Sequence, residues 1–265
     1  MTATSSSQDA LVLRQDETGV ATLTLNRPKQ YNALSKAMLD ALQTTLNAVG
    51  ADESVRVVVI AGAGPAFCAG HDLKEIRAQD SRAFNQALFT QCGQVMLTIN
   101  RLPQPVIARI HGIATAAGCQ LVAACDLAVA SDNARFATSG INVGLFCSSP
   151  GVALSRNLGR KQALELLLTG DFIDAATALQ QGLINRVVPP EQLDATVWQL
   201  AESILNKSPL AIRMGKELFY RQLDLGLEEA YACATEVMAC NLDSGDAREG
   251  IDAFIGKRKP EWKGC

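Results

Sequence analysis

The chain has 265 residues, a formal net charge of −3 and an isoelectric point near 5.5, with 48% apolar, 19% charged and 5% aromatic residues. That balance fits an ordinary globular protein and excludes a disordered or collagenous chain. No Lys/Arg run exceeds Lys257-Arg258-Lys259, and no apolar stretch reaches the roughly 18 residues of a membrane-spanning helix, so no nucleic-acid or membrane partner is expected.

In chain order, residues 1–9 are predicted to be a mobile tail, because Met1 to Gln8 is Ser/Thr-rich and lacks both Lys and Arg. Residues 11–14 and Val20–Leu25 are predicted to form a strand hairpin, broken by Asn26-Arg27-Pro28. Ser35 is placed to cap a helix whose apolar residues Met38, Leu39, Leu42, Leu46 and Val49 recur at helical spacing up to Gly50. The β-branched run over 55–60 predicts a strand buried on both faces, ending in the turn Ala61-Gly62-Ala63-Gly64-Pro65. A long helix over 81–101 follows, then a strand at Val106–Ile110, a short apolar helix over 118–125 and a strand at Leu127–Ser131. From about Gly159 the pattern is helical: 160–168, Ala175–Gln181, 190–205, 210–223, 227–240 and 246–254, with one strand over 184–188. No linker composition appears, so the prediction is one α/β domain with a helical C-terminal extension.

The eight cysteines lie scattered without a CxxC pair, mostly in apolar runs, and with only two histidines, His71 and His111, they predict reduced, packed thiols, no metal site and a cytoplasmic protein. Two segments share a design in which an apolar strand ends in a small-residue turn that opens a helix: Phe67 to Leu73, and His111 to Gln120. Small residues let a ligand approach the backbone, and helix N-termini offer unsatisfied N–H groups at the positive end of the dipole. Facing each other, two such turns would make an oxyanion hole; by spacing alone they are equally ordinary strand-to-helix connections.

Asn26-Arg27-Pro28 with Asn32-Ala33-Leu34, Phe67 to Leu73, His111-Gly112 through Gly118-Cys119, and Leu168-Thr169-Gly170 through Gly182-Leu183 together resemble, in order and spacing, the crotonase (enoyl-CoA hydratase/isomerase) superfamily. Within it, His71 to Glu75, Ala116 to Gln120 and Asn142 to Cys147 are similar to the enoyl-CoA hydratase domain-containing protein 3 group. The resemblance implies an α/β, crotonase-like spiral of repeated β-β-α units over 10–200 and a helical region over 201–265 that packs in homotrimers or hexamers. It implies acyl-CoA or enoyl-CoA thioesters as partners, with coenzyme A carried by the substrate and no separate cofactor. It assigns the backbone N–H groups of His71 and Ala117 to the thioester carbonyl; for the His71 side chain, an incidental position stands beside a functional one. Substrate-binding positions carried over are Lys29, Ala33, Ala69, His71, Asp72, Leu73, Gly112, Ala116, Ala117, Ser139, Gly144, Phe254 and Lys257. For Phe254 and Lys257-Arg258-Lys259, adenine and phosphate contacts stand beside a plain solvated basic tail.

Hydratases of the superfamily hold a water between two glutamates, and the corresponding catalytic positions here are Gln120 and Gly140. Glutamine cannot take a proton near neutral pH, and glycine has no side chain. Each general acid or base is worth roughly 10²–10⁴ in rate, so ordinary enoyl-CoA hydration is expected to be negligible. Restoring Gln120→Glu with Gly140→Glu is expected to bring it back. The following loop, Val143 to Gly151, also lacks a carboxylate; its Cys147, Ser148 and Ser149 are nucleophile candidates or turn formers. Asp72 and Glu75 open a helix, where carboxylates suit the dipole, and Asp126 suits a turn. Either an enzyme needing no paired glutamates or a non-catalytic acyl-CoA-binding protein fits these residues.

Overall fold

The computed structural model describes residues 10–265, so the tail expected over 1–9 lies outside the described residues. β1 (Val12–Glu17) and β2 (Val20–Leu25) form an antiparallel hairpin turning at Thr18 and Gly19, both with positive φ. A 3-10 turn at Pro28–Gln30 leads to α1 (Lys36–Gly50), where Ser35 Oγ accepts the Met38 N–H and the five predicted apolar residues are buried. Next come β3 (Val57–Gly62), β4 (Ala66–Cys68), α2 (Leu73–Gln79) and α3 (Arg82–Arg101). Then follow β5 (Val106–Ile110), β6 (Ile113–Thr115), α4 (Ala117–Ala124), β7 (Leu127–Ser131), β8 (Arg135–Ala137) and a 3-10 helix at Ser139–Val143. The remainder comprises α5 (Ser148–Asn157), α6 (Arg160–Thr169), β9 (Ile173–Asp174), α7 (Ala175–Gln181), β10 (Arg186–Val188), α8 (Leu193–Leu205), α9 (Pro209–Gln222), α10 (Leu227–Leu242) and α11 (Gly245–Ile255). Position 200 falls inside α8.

The strands divide between a six-stranded sheet, ordered β1-β2-β3-β5-β7-β10, and a four-stranded one, ordered β4-β6-β8-β9. The consecutive pairs β3/β4, β5/β6 and β7/β8 each give one strand to either sheet, so the chain winds as a spiral that adds a parallel strand to both at every turn. One face of the larger sheet packs on the main core with α1, α3 and α4; the other buries Val57, Val59, Ile107 and Val129 under Leu193, Val197 and Ala201 of α8. Coverage on both faces explains the unbroken apolar run of β3.

Two departures from the sequence reading shape the site. Residues 66–68 and 113–115, at the predicted turns, and 135–137, where no element is predicted, are strands because they pair with one another in the second sheet. Residues 148–151, taken as loop, form the first turn of α5; Pro150 is tolerated there because first-turn N–H groups have no helical acceptor.

α9 is fastened to the spiral by a buried ion pair. Lys216 Nζ donates to Asp126 Oδ2 at 2.6 Å and to the carbonyls of Ile99 and Gln104 at 2.9 Å. Asp126 also accepts the Val106 N–H at 2.6 Å and the Tyr220 hydroxyl at 2.7 Å. Asp126 is thus an anchor for the C-terminal helices as well as a turn residue.

Candidate active site

The turn between β4 and α2 is stitched down on both sides. Asn32, wholly buried, donates through Nδ2 to the carbonyls of Ala63 and Ala66 at 2.8 Å and Phe67 at 3.1 Å, while its Oδ1 accepts the Arg27 N–H at 2.9 Å. Leu34 N–H donates to Gly70 O at 2.7 Å and Asp72 N–H to Leu34 O at 3.4 Å, a parallel bridge around Leu34. In such a bridge the intervening residue's N–H points away from the partner strand. Accordingly His71 N–H donates to no acceptor among the described residues. Arg27 ties the turn to its surroundings: Nη1 donates to Ala33 O at 2.9 Å and Nη2 pairs with Asp72 Oδ2 at 3.0 Å. Asp72 also caps α2 by accepting the N–H groups of Lys74 and Glu75. Burial pushes its carboxyl up, but Arg27 and the two capping donors outweigh this and hold it below the usual carboxylate range.

The second turn leads from β6 into α4. Ala116, with φ 51° and ψ −120°, adopts a backbone region that favours glycine, and its N–H donates to Ala137 O at 3.0 Å. Ala117 begins α4, so its N–H has no helical acceptor and finds none elsewhere among the described residues. The two turns abut. A methyl group on Gly70 would stand 2.8 Å from Ala116 Cβ and 3.2 Å from Ala117 N, and one on Gly118 would run into the Cys68 carbonyl. Two unpaired N–H groups therefore stand on touching turns.

Around them, Gln120 is 4% exposed and its Oε1 has no hydrogen-bond partner. Gly140 lies in the 3-10 helix after β8, beside Ser139, whose Oγ is 2.7 Å from Thr115 Oγ1. A Cβ on residue 140 would meet Leu145 O at 2.6 Å and Cys147 Sγ at 2.8 Å. The expectation that Gly140→Glu restores an acid meets an obstacle here: a side chain at 140 requires the Leu145 carbonyl and the Cys147 thiol to move. Cys147 is the N-cap of α5 and makes no side-chain capping bond. Burial pushes its thiol up, partly offset by the Gly140 backbone, and neighbouring Cys119 is pushed up to about 12, so neither is a thiolate near neutral pH. Ser148 Oγ donates only to Phe146 O.

The His71 imidazole has its Nδ1 3.2 Å from Leu34 O and its ring 5.2 Å from that of Phe89, edge to face. Burial lowers its pKa, opposed by the Leu34 carbonyl and by Glu75, leaving it below the ordinary histidine value. Of the other carried-over positions, Ala33 is buried, and Ala69 donates its N–H to Tyr31 O at 3.0 Å. Lys29 and Leu73 are exposed nearby. Gly112 packs so close to Pro65 O that a Cβ would stand 2.6 Å away, whereas Gly144, at φ 78°, has open space. Phe254 and Lys257 are not brought to this place: Phe254, 85% exposed, borders a cavity of about 300 Å³ with Ile251 and Trp262, and no residue of the two turns lines it. The sequence reading gave no individual role to Arg27, Asn32 or Phe89; the first two stand in the Asn-Arg-Pro and Asn-Ala-Leu motifs, which were the available signal. Among the described residues no group of His, Cys, Asp and Glu could hold a metal, and no helix is long and apolar enough to cross a membrane.

Comparison with known proteins agrees with this architecture. The family profile described as Enoyl-CoA hydratase/isomerase matches residues 15–265. The mitochondrial enoyl-CoA hydratase domain-containing protein 3 of Mus musculus is 46% identical over 260 residues, 98% of this chain and 87% of that protein. The crystal structure of an enoyl-CoA hydratase from Mycobacterium smegmatis superposes with a TM-score of 0.94 at 60% identity, covering 95% of this chain and 98% of that one. The crystal structure of human enoyl coenzyme A hydratase domain-containing protein 3 gives 0.93 at 45% identity, covering 95% and 100%. The cytoplasmic expectation is corrected by the same comparison: relatives from mouse, rat, Xenopus laevis and human are all named mitochondrial. Unpaired thiols argue only against an oxidising compartment and do not choose among reducing ones. With its spiral fold, its motifs in register and relatives matching nearly its whole length, the chain belongs to the enoyl-CoA hydratase/isomerase family.

Proposed function

We propose that this protein binds acyl-CoA or enoyl-CoA thioesters with the carbonyl oxygen between the N–H groups of His71 and Ala117, and acts on the resulting enolate or oxyanion without paired glutamates. The observation that carries the reading is the pair of unpartnered N–H groups on touching turns. Loss of one such donor typically costs about 2.7–4 kcal/mol in a transition state. The donors are backbone groups, so alanines at 116 and 117 do not remove them. Coenzyme A enters as part of the substrate and no separate cofactor is required. Assembly into trimers or hexamers through the C-terminal helices, over roughly 201–265, is part of the same reading.

Efficient hydration of enoyl-CoA is not part of the proposal, because Gln120 cannot carry a proton and residue 140 has neither a carboxylate nor room for one. The same absence supports a second reading, a non-catalytic acyl-CoA-binding protein. Mass spectrometry of the purified protein with saturated, 2-enoyl, 3-enoyl and malonyl-type CoA thioesters in deuterated buffer separates the two. Free CoA, loss of carbon dioxide or deuterium uptake establishes turnover. Unchanged thioesters seen bound in native spectra establish the binder, and no bound thioester overturns both.

A further inference from the structure

Both neighbours of His71 are fixed to one residue: Leu34 N–H donates to Gly70 O at 2.7 Å, and Asp72 N–H donates to Leu34 O at 3.4 Å. This places a carboxylate on the residue next to the proposed carbonyl donor, where consecutive Cα atoms are only about 3.8 Å apart. A negative side chain there opposes the charge that a thioester oxygen gathers as it becomes an enolate or oxyanion. Capping α2 does not require that charge. Asp72 Oδ1 accepts the N–H groups of Lys74 at 3.1 Å and Glu75 at 3.3 Å, a task that Asn or Ser performs about as well while neutral.

The carboxylate is matched by a cation from the loop before α1. Arg27 Nη2 meets Asp72 Oδ2 at 3.0 Å, and Nη1 donates at 2.9 Å to the carbonyl of Ala33, the residue before Leu34. The two side chains are 19% and 16% exposed, so water screens the pair only in part. Among the described residues no other cation pairs with Asp72. The remaining charges nearby are turned to other partners or to solvent. On α1, Lys36 Nζ pairs with Asp40 at 3.6 Å; on α2, Glu75 Oε2 accepts the Lys36 N–H at 3.0 Å and Lys74 is exposed. Helix α3 presents the uncharged Phe89 to the His71 ring, which burial holds neutral near neutral pH.

We propose that Arg27 is a positioning residue of the thioester site, acting through Asp72: it cancels the carboxylate's charge beside the His71 N–H, so that the site holds a negatively charged oxygen. The inference rests on the thioester-binding reading above. Charge and scaffolding make opposite demands on the pair. Loss of the guanidinium alone leaves an unpaired carboxylate one residue from the donor, which penalises an anionic oxygen more than a neutral carbonyl. Loss of both charges removes that penalty. A purely structural ion pair behaves otherwise, because the double loss is then at least as damaging as the loss of Arg27 alone.

The test uses two thioesters. Butyryl-CoA offers a neutral carbonyl, and calorimetry measures its binding. Acetoacetyl-CoA loses a C2 proton to the buffer, the C–H electron pair passing into an enolate whose ultraviolet absorption reports the fraction ionised. The pH at which the bound molecule ionises measures how well the site holds negative charge, and wild-type protein is expected to lower it relative to free solution. Arg27→Gln should raise it by about one unit from the wild-type value, as expected of a partly screened charge a few ångströms away. Arg27→Gln combined with Asp72→Asn should return it to the wild-type value, and Arg27→Lys, which keeps the charge, should stay near it. Asp72→Asn alone, which retains a capping side chain and leaves the guanidinium unopposed, should ionise acetoacetyl-CoA at lower pH than wild type; this arm decides the matter even where Arg27→Gln does not fold. A double variant shifted as far as Arg27→Gln, an equal shift in Arg27→Lys, or a rise in Asp72→Asn overturns the proposal. A wild-type protein that binds neither thioester, or that binds acetoacetyl-CoA without favouring its enolate, overturns the underlying thioester-site reading instead.

Discussion

The thiol of Cys147 occupies the space that a side chain on residue 140 would need: a Cβ there would lie 2.8 Å from its Sγ and 2.6 Å from the Leu145 carbonyl. Glycine at 140 is therefore a packing requirement of this backbone. Gly140→Ala is expected to destabilise by about 1–3 kcal/mol, the usual cost of overpacking. Gly140→Glu combined with Gln120→Glu is expected to yield no hydratase activity. Thermal unfolding of the single variant and crotonyl-CoA hydration by the double variant check the two statements; measurable hydration would show that the 145–147 segment yields.

Ala116 holds a glycine-like conformation, φ 51° and ψ −120°, with its methyl group against Gly70. Strain of this kind costs roughly 1–3 kcal/mol. Ala116→Gly removes it and adds back about 0.5–1 kcal/mol of unfolded-state entropy. A net gain of about 1 kcal/mol is expected, read as a rise in Tm of roughly 2–4 °C. An unchanged or lower Tm would mean that the methyl packing outweighs the strain.

Asn32 serves three carbonyls and one N–H from a fully buried position. Asn32→Ala leaves several of these groups without partners at about 1–3 kcal/mol each, so a loss of at least 3 kcal/mol is expected. Urea unfolding measures it, and the turn that carries His71 should loosen with it, so that the proposed acyl-CoA binding weakens in the same variant.

Asp72 contributes stability with a definite pH signature. Burial raises its pKa, Arg27 and the helix N–H groups lower it further, and the net value lies below that of an unfolded carboxylate. A depressed folded-state pKa means a contribution fully present above the ordinary value of about 3.9 and lost as pH falls through the lower one. Asp72→Asn should therefore cost about 1–2 kcal/mol near neutral pH, with the difference from wild type shrinking below about pH 4. A pH series of denaturant unfolding distinguishes this from a pH-independent packing loss.

The elements legible in the sequence were those whose own periodicity decides them. The bounds of Val106–Ile110, Leu127–Ser131 and Ala175–Gln181 coincide with β5, β7 and α7, because continuous apolar runs and a clean helical stripe need no distant partner to be recognised. β4, β6, β8 and β9 were not legible: segments of two or three residues become strands only through pairing with segments far along the chain. α5 was hidden by Ser148-Ser149-Pro150, which has the composition of a loop. At the site, the two turns were visible as small-residue stretches. The filling of residue 140's space by a thiol seven residues later, and the tethering of His71 to Leu34 and Phe89, depend on three-dimensional placement that no local pattern encodes.

Lys216 reaches from α9 to Asp126 and to the carbonyls of Ile99 in α3 and Gln104 in the α3–β5 connection, and Asp126 in turn holds the first N–H of β5. Releasing α9 alone would strand a carboxylate in a low-dielectric interior, a step costing about 3–5 kcal/mol. The last helices and the central sheet are thereby joined into one cooperative unit: slow hydrogen exchange at Val106 and along α9 should report a common opening free energy, and the C-terminal arm should melt with the spiral, not before it.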